Sequence, residues 1–303
     1  MLISARRKEP NMSTSTVSRD SDIADPGTDL AYFAVDAGIF RPTPAAGGYW
    51  GESLISGPAV AGLAAWALER DYGDADFVPA RFTIDLLKPA TQMPTRVQTR
   101  IVRGGRRLRN VECDIVQGDW IVARATMMQY RRSQAPAGEQ WMSPTSFTAP
   151  AAVRGDELMV GSDEAGWSVM GVEHQNVSRK RAFYRGPAVV AGEATSPFVR
   201  AVIVAEAATN LVTNMGTAGI GYINGDVTVS MSRLPRSDYL GVQADSHFAA
   251  DGVAVGSATL FDAEGPFGTV SVTALANPAA QIDFGGAPRV DAPGAELFCG
   301  SAR

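Results

Sequence analysis

The sequence predicts an α+β fold in which two tandem units each set one apolar helix against an antiparallel sheet. Three observations carry this expectation. The first is the stretch from Pro197 to Pro235, where PFVRAVIVAEAATNLVT leads through NMGTAG into IGYINGDVTVSMSRLP. Its opening part bears a helical stripe, Val199, Val202, Ile203, Ala207 and Leu211, and its closing part alternates as a strand does. In that strand Val227, Val229 and Met231 share one face, and Thr228, Ser230 and Ser232 share the other. Glycines at 216, 219 and 221 break the chain between the two parts. A helix this apolar needs cover, which a wrapped sheet supplies.

The second observation is an earlier copy of the same arrangement. GPAVAGLAAWALE (57–69) is a small-residue helix with Val60, Leu63, Ala64, Ala67 and Leu68 along one side, and Pro58 fits a first helical position. The strand ARFTIDLLKP (80–89) follows and aligns with the later one, Thr83 on Thr228 and Ile84 on Val229. The third is the recurrence of turns. Gly104-Gly105 and Asp251-Gly252 lie 21 and 24 residues after the paired threonines, counted to Gly104 and Gly252, and the turns at Gly118 and Gly265 lie 35 and 37 residues after them. A diverged internal duplication accounts for all three; chance likeness between two antiparallel segments is the alternative.

A chain of 303 residues has room for two ordinary domains, and 45% hydrophobic with 19% charged residues is a globular composition. Twenty-seven Lys and Arg against 32 Asp and Glu leave a net charge of -5, which argues against a broad nucleic-acid footprint. Arg103, Arg106, Arg107 and Arg109 cluster at one hairpin, as a solvated turn or as a seat for an anionic group. Cys113 and Cys299 do not make a disulfide framework, so reduced thiols in a cytoplasmic setting are expected. No apolar run is long enough to predict a membrane span.

Residues 1–27 are polar and Ser/Thr-rich and are expected to be a disordered lead-in, with no secretory signal core. The first unit spans 28–133. It opens with Tyr32–Val35 and Ile39–Arg41, as two short strands or one bent one. A Gly/Pro-rich segment with Tyr49 and Trp50 follows, which either closes over a pocket or packs its aromatics. Helix 57–70 and strands at 78–88, 97–102, 107–116 and 120–130 complete it. Residues 134–160 form a linker, with Trp141 and Phe147 expected to rest on the domains. The second unit spans 161–278, with short strands at 167–172, 173–177 and 182–184, helix 198–213, and strands at 222–233, 239–246, 252–261 and 268–275. Residues 279–303 read as a tail that frays or lies on the surface.

The search for chemistry removes several classes. No GxGxxG follows a strand, there is no GxxxxGK[ST] loop, and no GxSxG elbow precedes a helix. His174 and His247 are too few for a histidine-rich metal site, so neither a metal nor a cofactor is expected. What remains is polar residues in odd places. Glu206 lies in mid-helix between Val204, Ala205, Ala207 and Ala208, either as a buried carboxylate with a task or as an exposed or arginine-paired one (Arg200 or Arg233). Asn210 follows one turn later on the same side. Asn224 and Asp226 flank Gly225, where asparagine before glycine also serves as a plain turn device.

Taken together, G-G-Y-W (47–50), F-T-I-D-L-L-K-P, G-R-R-L-R-N-V, S-P-F-V-R-A with A-E-A-A-T-N, and I-N-G-D-V-T-V-S-M-S-R-L-P give the chain a resemblance. It resembles the thioesterase-like proteins with a double hotdog fold, related to type II acyl-CoA thioesterases and most of all to actinobacterial members. The likeness runs from about Tyr32 to Pro278. The resemblance implies two helix-wrapped sheets joined side by side, with an acyl thioester such as acyl-CoA entering between them. In the family a helix Asp, a Thr or Ser at the next strand's start and a Gln in the last strand activate a water. Carried over, these fall on Glu206, Asn224 and Thr273, so all three depart from the pattern. Glutamate still serves as a base, asparagine offers an amide for a hydroxyl, and Thr273 has a shorter reach than glutamine.

The implied site has Glu206 as base, Asn224 and Asn210 positioning water, Thr273 as a weak helper, and a helix-start N–H polarising the carbonyl. Gly48, Tyr49, Trp50 and Asp226 join Asn210 as expected substrate contacts. The alternative is an acyl-binding or assembly protein that keeps the pocket without turnover. A hydratase is disfavoured, because Val169 and Val242 stand five residues before the two histidines where such enzymes resemble one another in an aspartate. Further association into a homo-oligomer is also in keeping with the family.

Overall fold

The computed structural model describes residues 30–285 except Arg154 and Asp156. The expected lead-in at 1–27, Cys299 and the end of the tail lie outside the described residues. The first unit runs β1 (Ala31–Asp36), β2 (Ile39–Pro42), β3 (Gly47–Gly48), β4 (Gly51–Ile55), α1 (Gly57–Tyr72), β5 (Phe77–Leu86), β6 (Thr95–Gly104), β7 (Leu108–Gln117) and β8 (Trp120–Arg131). The second runs β9 (Met159–Ser162), β10 (Gly166–Val169), β11 (Lys180–Tyr184), β12 (Ala188–Val190), α2 (Pro197–Asn214), β13 (Met215–Gly216), β14 (Gly219–Ile220), β15 (Tyr222–Met231), β16 (Leu240–Ala250), β17 (Val253–Asp262) and β18 (Gly265–Ala276).

Fourteen of these strands make one sheet, in the order β10-β9-β11-β16-β17-β18-β15-β5-β8-β7-β6-β2-β1-β12. The two units are a double hotdog: each meander wraps its own helix, and the halves join where β5 pairs antiparallel with β15. The duplication explains the register of that seam. Thr83 pairs with Thr228, while Ile84 faces Val227 and Phe82 faces Val229. Exchanging the two strands therefore maps these two pairs onto one another, as a pseudo-twofold axis through the threonine pair requires. The Thr228 hydroxyl donates to Thr83 Oγ1 at 3.3 Å.

α2 explains its apolar sequence by its place. From Phe198 to Asn214 every residue but Ala207 is buried, held between the sheet and α1. Ser196 caps it, Oγ accepting from the Val199 N–H at 3.2 Å. α1 has no side-chain cap at Ser56. No described helix is long and apolar enough to cross a membrane.

Some expectations are resolved and others need correction. Of the two forms expected at 31–42 the two-strand one is found, with a turn in which Ala37 and Gly38 take positive φ. The segment 173–177 is no strand, since Val172–His174 is a single helical turn. β9 starts inside the stretch read as linker, and β12, although within the second unit's sequence, pairs parallel with β1 at the first unit's edge. Phe147 does anchor the linker, stacked 5.1 Å from Phe261 and 6.1 Å from Phe183, whereas Trp141 stays 83% exposed. The tail's first residues are tied down: Ile282 exchanges both backbone hydrogen bonds with Ile220, at 2.9 and 3.0 Å. Cys113 is a free buried thiol, which burial pushes up to about 12.

Candidate active site

The duplication brings a carboxylate of each helix to the start of the other. Glu69, on α1, accepts a hydrogen bond from Ser196, the cap of α2. Burial raises its pKa and that hydrogen bond partly offsets the rise. At the opposite junction Glu206, on α2, lies against Gly57, the first residue of α1. A Cβ built on Gly57 would lie 1.8 Å from Glu206 Oε1, so the carboxylate fills the space a side chain there would take. Ser56 offers no side-chain cap, and the site opens on a cavity of about 490 Å³.

Asn224 Nδ2 donates to Glu206 Oε1 at 2.8 Å. No basic side chain pairs with Glu206 among the described residues. Arg233 is held by Asp262 at 2.5 and 2.8 Å, and Arg200 donates to the Arg185 carbonyl. Glu206 is 5% exposed, and burial pushes its pKa up to about 7, the Asn224 hydrogen bond pulling the other way. A helix start favours an anion beside it. The group is thus a carboxylate that exchanges a proton near neutrality while facing a mostly apolar chamber.

Asn210 is fixed by a chain of hydrogen bonds. Its Nδ2 donates to the Tyr222 carbonyl at 2.9 Å, and its Oδ1 accepts from Asn214 Nδ2 at 2.6 Å. Asn214 Oδ1 in turn lies 2.8 Å from His247 Nδ1, which must therefore carry the proton of that contact. Both ends of the Asn210 amide are thus engaged, and Nδ2 keeps one further hydrogen to donate.

The structure brings six of the expected residues to the cavity: Gly48, Tyr49, Trp50, Glu206, Asn210 and Asn224. It does not bring Thr273 or Asp226 there, which corrects their expected roles. A bulge at Gly225 shifts the register between Asn224 and Asp226, and residues two apart then face opposite sides of the sheet. Asn224 turns to the helix, while Asp226 accepts a hydrogen bond from Thr273 on the outer face. Thr273 is exposed, and the residue across from Asn224 is Ala274. Burial raises the Asp226 pKa, Asp85 across the seam adds to the rise, and Thr273 opposes it.

Sequence reasoning missed Gly57 as a contact of Glu206, the Asn214–His247 support, and Lys88, the one basic residue of the cavity wall among the described residues. Gly57 stood in the sequence as a helix start, and only the pairing of the two units shows what its missing side chain makes room for. Neither histidine lines the cavity; His174 is buried against Ser168 Oγ at 2.7 Å. Among the described residues no group of three or more His, Cys, Asp or Glu is placed to hold a metal.

Replacing Asn224 with Ala removes the hydrogen bond that favours the Glu206 anion. The Glu206 pKa is expected to rise by roughly one unit, the size of a charge-assisted bond. A carboxyl titration by isotope-edited NMR checks this, and an unchanged midpoint would show that the amide does not tune the acid.

The comparisons agree with this architecture. Residues 47–130 match the family model described as the acyl-CoA thioesterase N-terminal domain, and residues 129–275 match the acyl-CoA thioesterase C-terminal domain. The chain belongs to the double-hotdog thioesterase-like superfamily. It is similar in structure to a tesB protein of Mycobacterium avium subs paratuberculosis, with a TM-score of 0.55 and 18% identity over 79% of this chain and 92% of that one. It is also similar to the acyl-CoA thioesterase II TesB2 of Mycobacterium marinum, at 0.55 and 16% over 84% and 96%. A conserved hot dog fold protein of unknown function from Alicyclobacillus acidocaldarius gives 0.60 and 13% over 84% and 99%. At these identities the likenesses show the fold. No curated protein matches the chain.

Proposed function

We propose that the protein hydrolyses the thioester of acyl-CoA or a related acyl thioester, as its likeness to type II acyl-CoA thioesterases suggests. One observation carries this reading: a buried carboxylate, hydrogen-bonded to Asn224, faces an apolar cavity at the uncapped start of a helix. Glu206 takes a proton from a water whose oxygen attacks the thioester carbonyl. Negative charge collects on the carbonyl oxygen, where an amide hydrogen of Asn210 and the N–H groups of the α1 start supply stabilisation. Collapse breaks the carbon–sulfur bond, and the thiolate leaves with the proton that Glu206 holds. Lys88 suits an anionic carrier such as CoA.

A thiol-release assay on purified protein across acyl-CoA chain lengths tests the reading; release no faster than the uncatalysed rate rejects it. The second reading, an acyl-binding protein without turnover, is favoured by the outward turn of Thr273, which leaves Ala274 opposite Asn224. In that case acyl-CoA binds and no thiol is released.

A further inference from the structure

Residues 277–285 leave the last strand and cross back over the cavity as a strap. Its backbone is fastened on two sides. Ile282 bridges Ile220, and Gly219, at φ +88°, leaves space for the Ile282 carbonyl, which would lie 1.9 Å from a Cβ at that position. On the other side Gln175 donates to Asp283 Oδ1 at 2.9 Å and accepts from the Phe284 N–H at 2.6 Å. Side chains alternate as in a strand: Asp283 faces Gln175, whereas Ile282 and Phe284 line the cavity and pack on the core.

The strap's position gives it a task. Ile220 follows the C-terminal end of α2, and Leu211, also in the cavity wall, lies about 7 Å along the helix axis from Glu206. A chain attached to a carbonyl at Glu206 and directed along Leu211 and Ile220 meets Ile282 and Phe284. We propose that these two side chains are the end wall of the acyl compartment and set the longest acyl chain the protein accepts. The proposal rests on the acyl-thioester reading above and adds to it a residue-level determinant of chain length.

The test uses the full chain and its I282A, F284A and F284W variants, with saturated acyl-CoAs from acetyl to stearoyl. Thiol release gives kcat/KM, and non-hydrolysable thioether analogues give Kd by calorimetry. The wild type is expected to lose kcat/KM beyond a limiting length. F284A and I282A should move that limit to longer chains, with a gain of roughly fourfold per newly buried methylene and little change for short chains. F284W should shorten the limit, an opposite sign that general loosening of the fold does not give. If the variants change all lengths by one factor, or leave the limit where it is while the wild type turns over, the strap is not the wall. If the wild type releases no thiol but binds analogues with a limit that the variants move, hydrolysis is rejected and the wall stands. If the wild type binds no analogue of any length, both are rejected.

Discussion

Replacing Glu206 with Gln is expected to lower thioester hydrolysis by roughly a hundredfold or more, the usual contribution of a positioned general base. Binding should be largely kept, because glutamine has the same size and fills the same space against Gly57. The wild-type pH profile is expected to agree. Glu206 must be ionised to accept a proton, so kcat/KM should rise with pH through a midpoint of about 7 and then level off. The E206Q residue should lack that rise. Equal activity in the two proteins, measured where chemistry limits the rate, would place the base elsewhere.

The same substitution has a consequence for stability, and its sign is opposite. Burial raises the Glu206 pKa from an ordinary 4.5 to about 7, so between those values the folded protein binds the proton more tightly than the unfolded chain does. Stability carried by this group is therefore complete below about 4.5 and falls as pH rises through 7. The shift corresponds to roughly 3 kcal/mol, which E206Q does not lose on going from acid to neutral pH. Chemical unfolding at pH 5 and pH 8 should show E206Q gaining on the wild type at the higher pH.

How far the sequence reached can be followed residue by residue. α2 was legible because an apolar stripe from Val199 to Leu211 at spacings of mostly three and four is a helix pattern, and the structure sets its start at Ser196 and Pro197. The alignment of Thr83 with Thr228 was legible from their flanking residues; that the two pair at the seam was not, because equivalence within a duplication does not say along which strands the units join. Glu206 was legible as an anomaly, since nothing apolar requires a carboxylate. Asp226 was misplaced because an Asn-Gly pair signals a turn as readily as a bulge, and one extra residue reverses every later side chain of that strand; Thr273 was carried over from the family pattern alone, and it pairs with Asp226 on the outer face. The strap was not legible, because Ile282 and Phe284 are two apolar residues in a Gly, Pro and Ala-rich stretch, and the groups that fasten them lie 62 and 109 residues away at Ile220 and Gln175.

Gly57→Ala is expected to remove most activity while leaving the fold in place. Glycine in a helix normally gives way to alanine with a gain of about 0.5–1 kcal/mol, because alanine loses less backbone freedom on folding. Gly57 does not take a positive φ, so the backbone itself accepts a side chain there. What opposes the change is space. The new methyl would lie 1.8 Å from Oε1 and 2.4 Å from Cδ of Glu206, and a side chain that can pivot gives way before two packed helices do. The carboxylate then leaves both the helix start and Asn224, and a displacement of about 1 Å at a catalytic group can cost a hundredfold in rate. Thiol release should fall by about that factor, with little change in melting temperature. Shortening the acid makes room again, so the G57A/E206D pair should turn over faster than G57A alone. In E206Q, adding G57A should cost almost nothing more, since the proton acceptor is already gone. Wild-type turnover in G57A would mean that the contact between Gly57 and Glu206 plays no part in the chemistry.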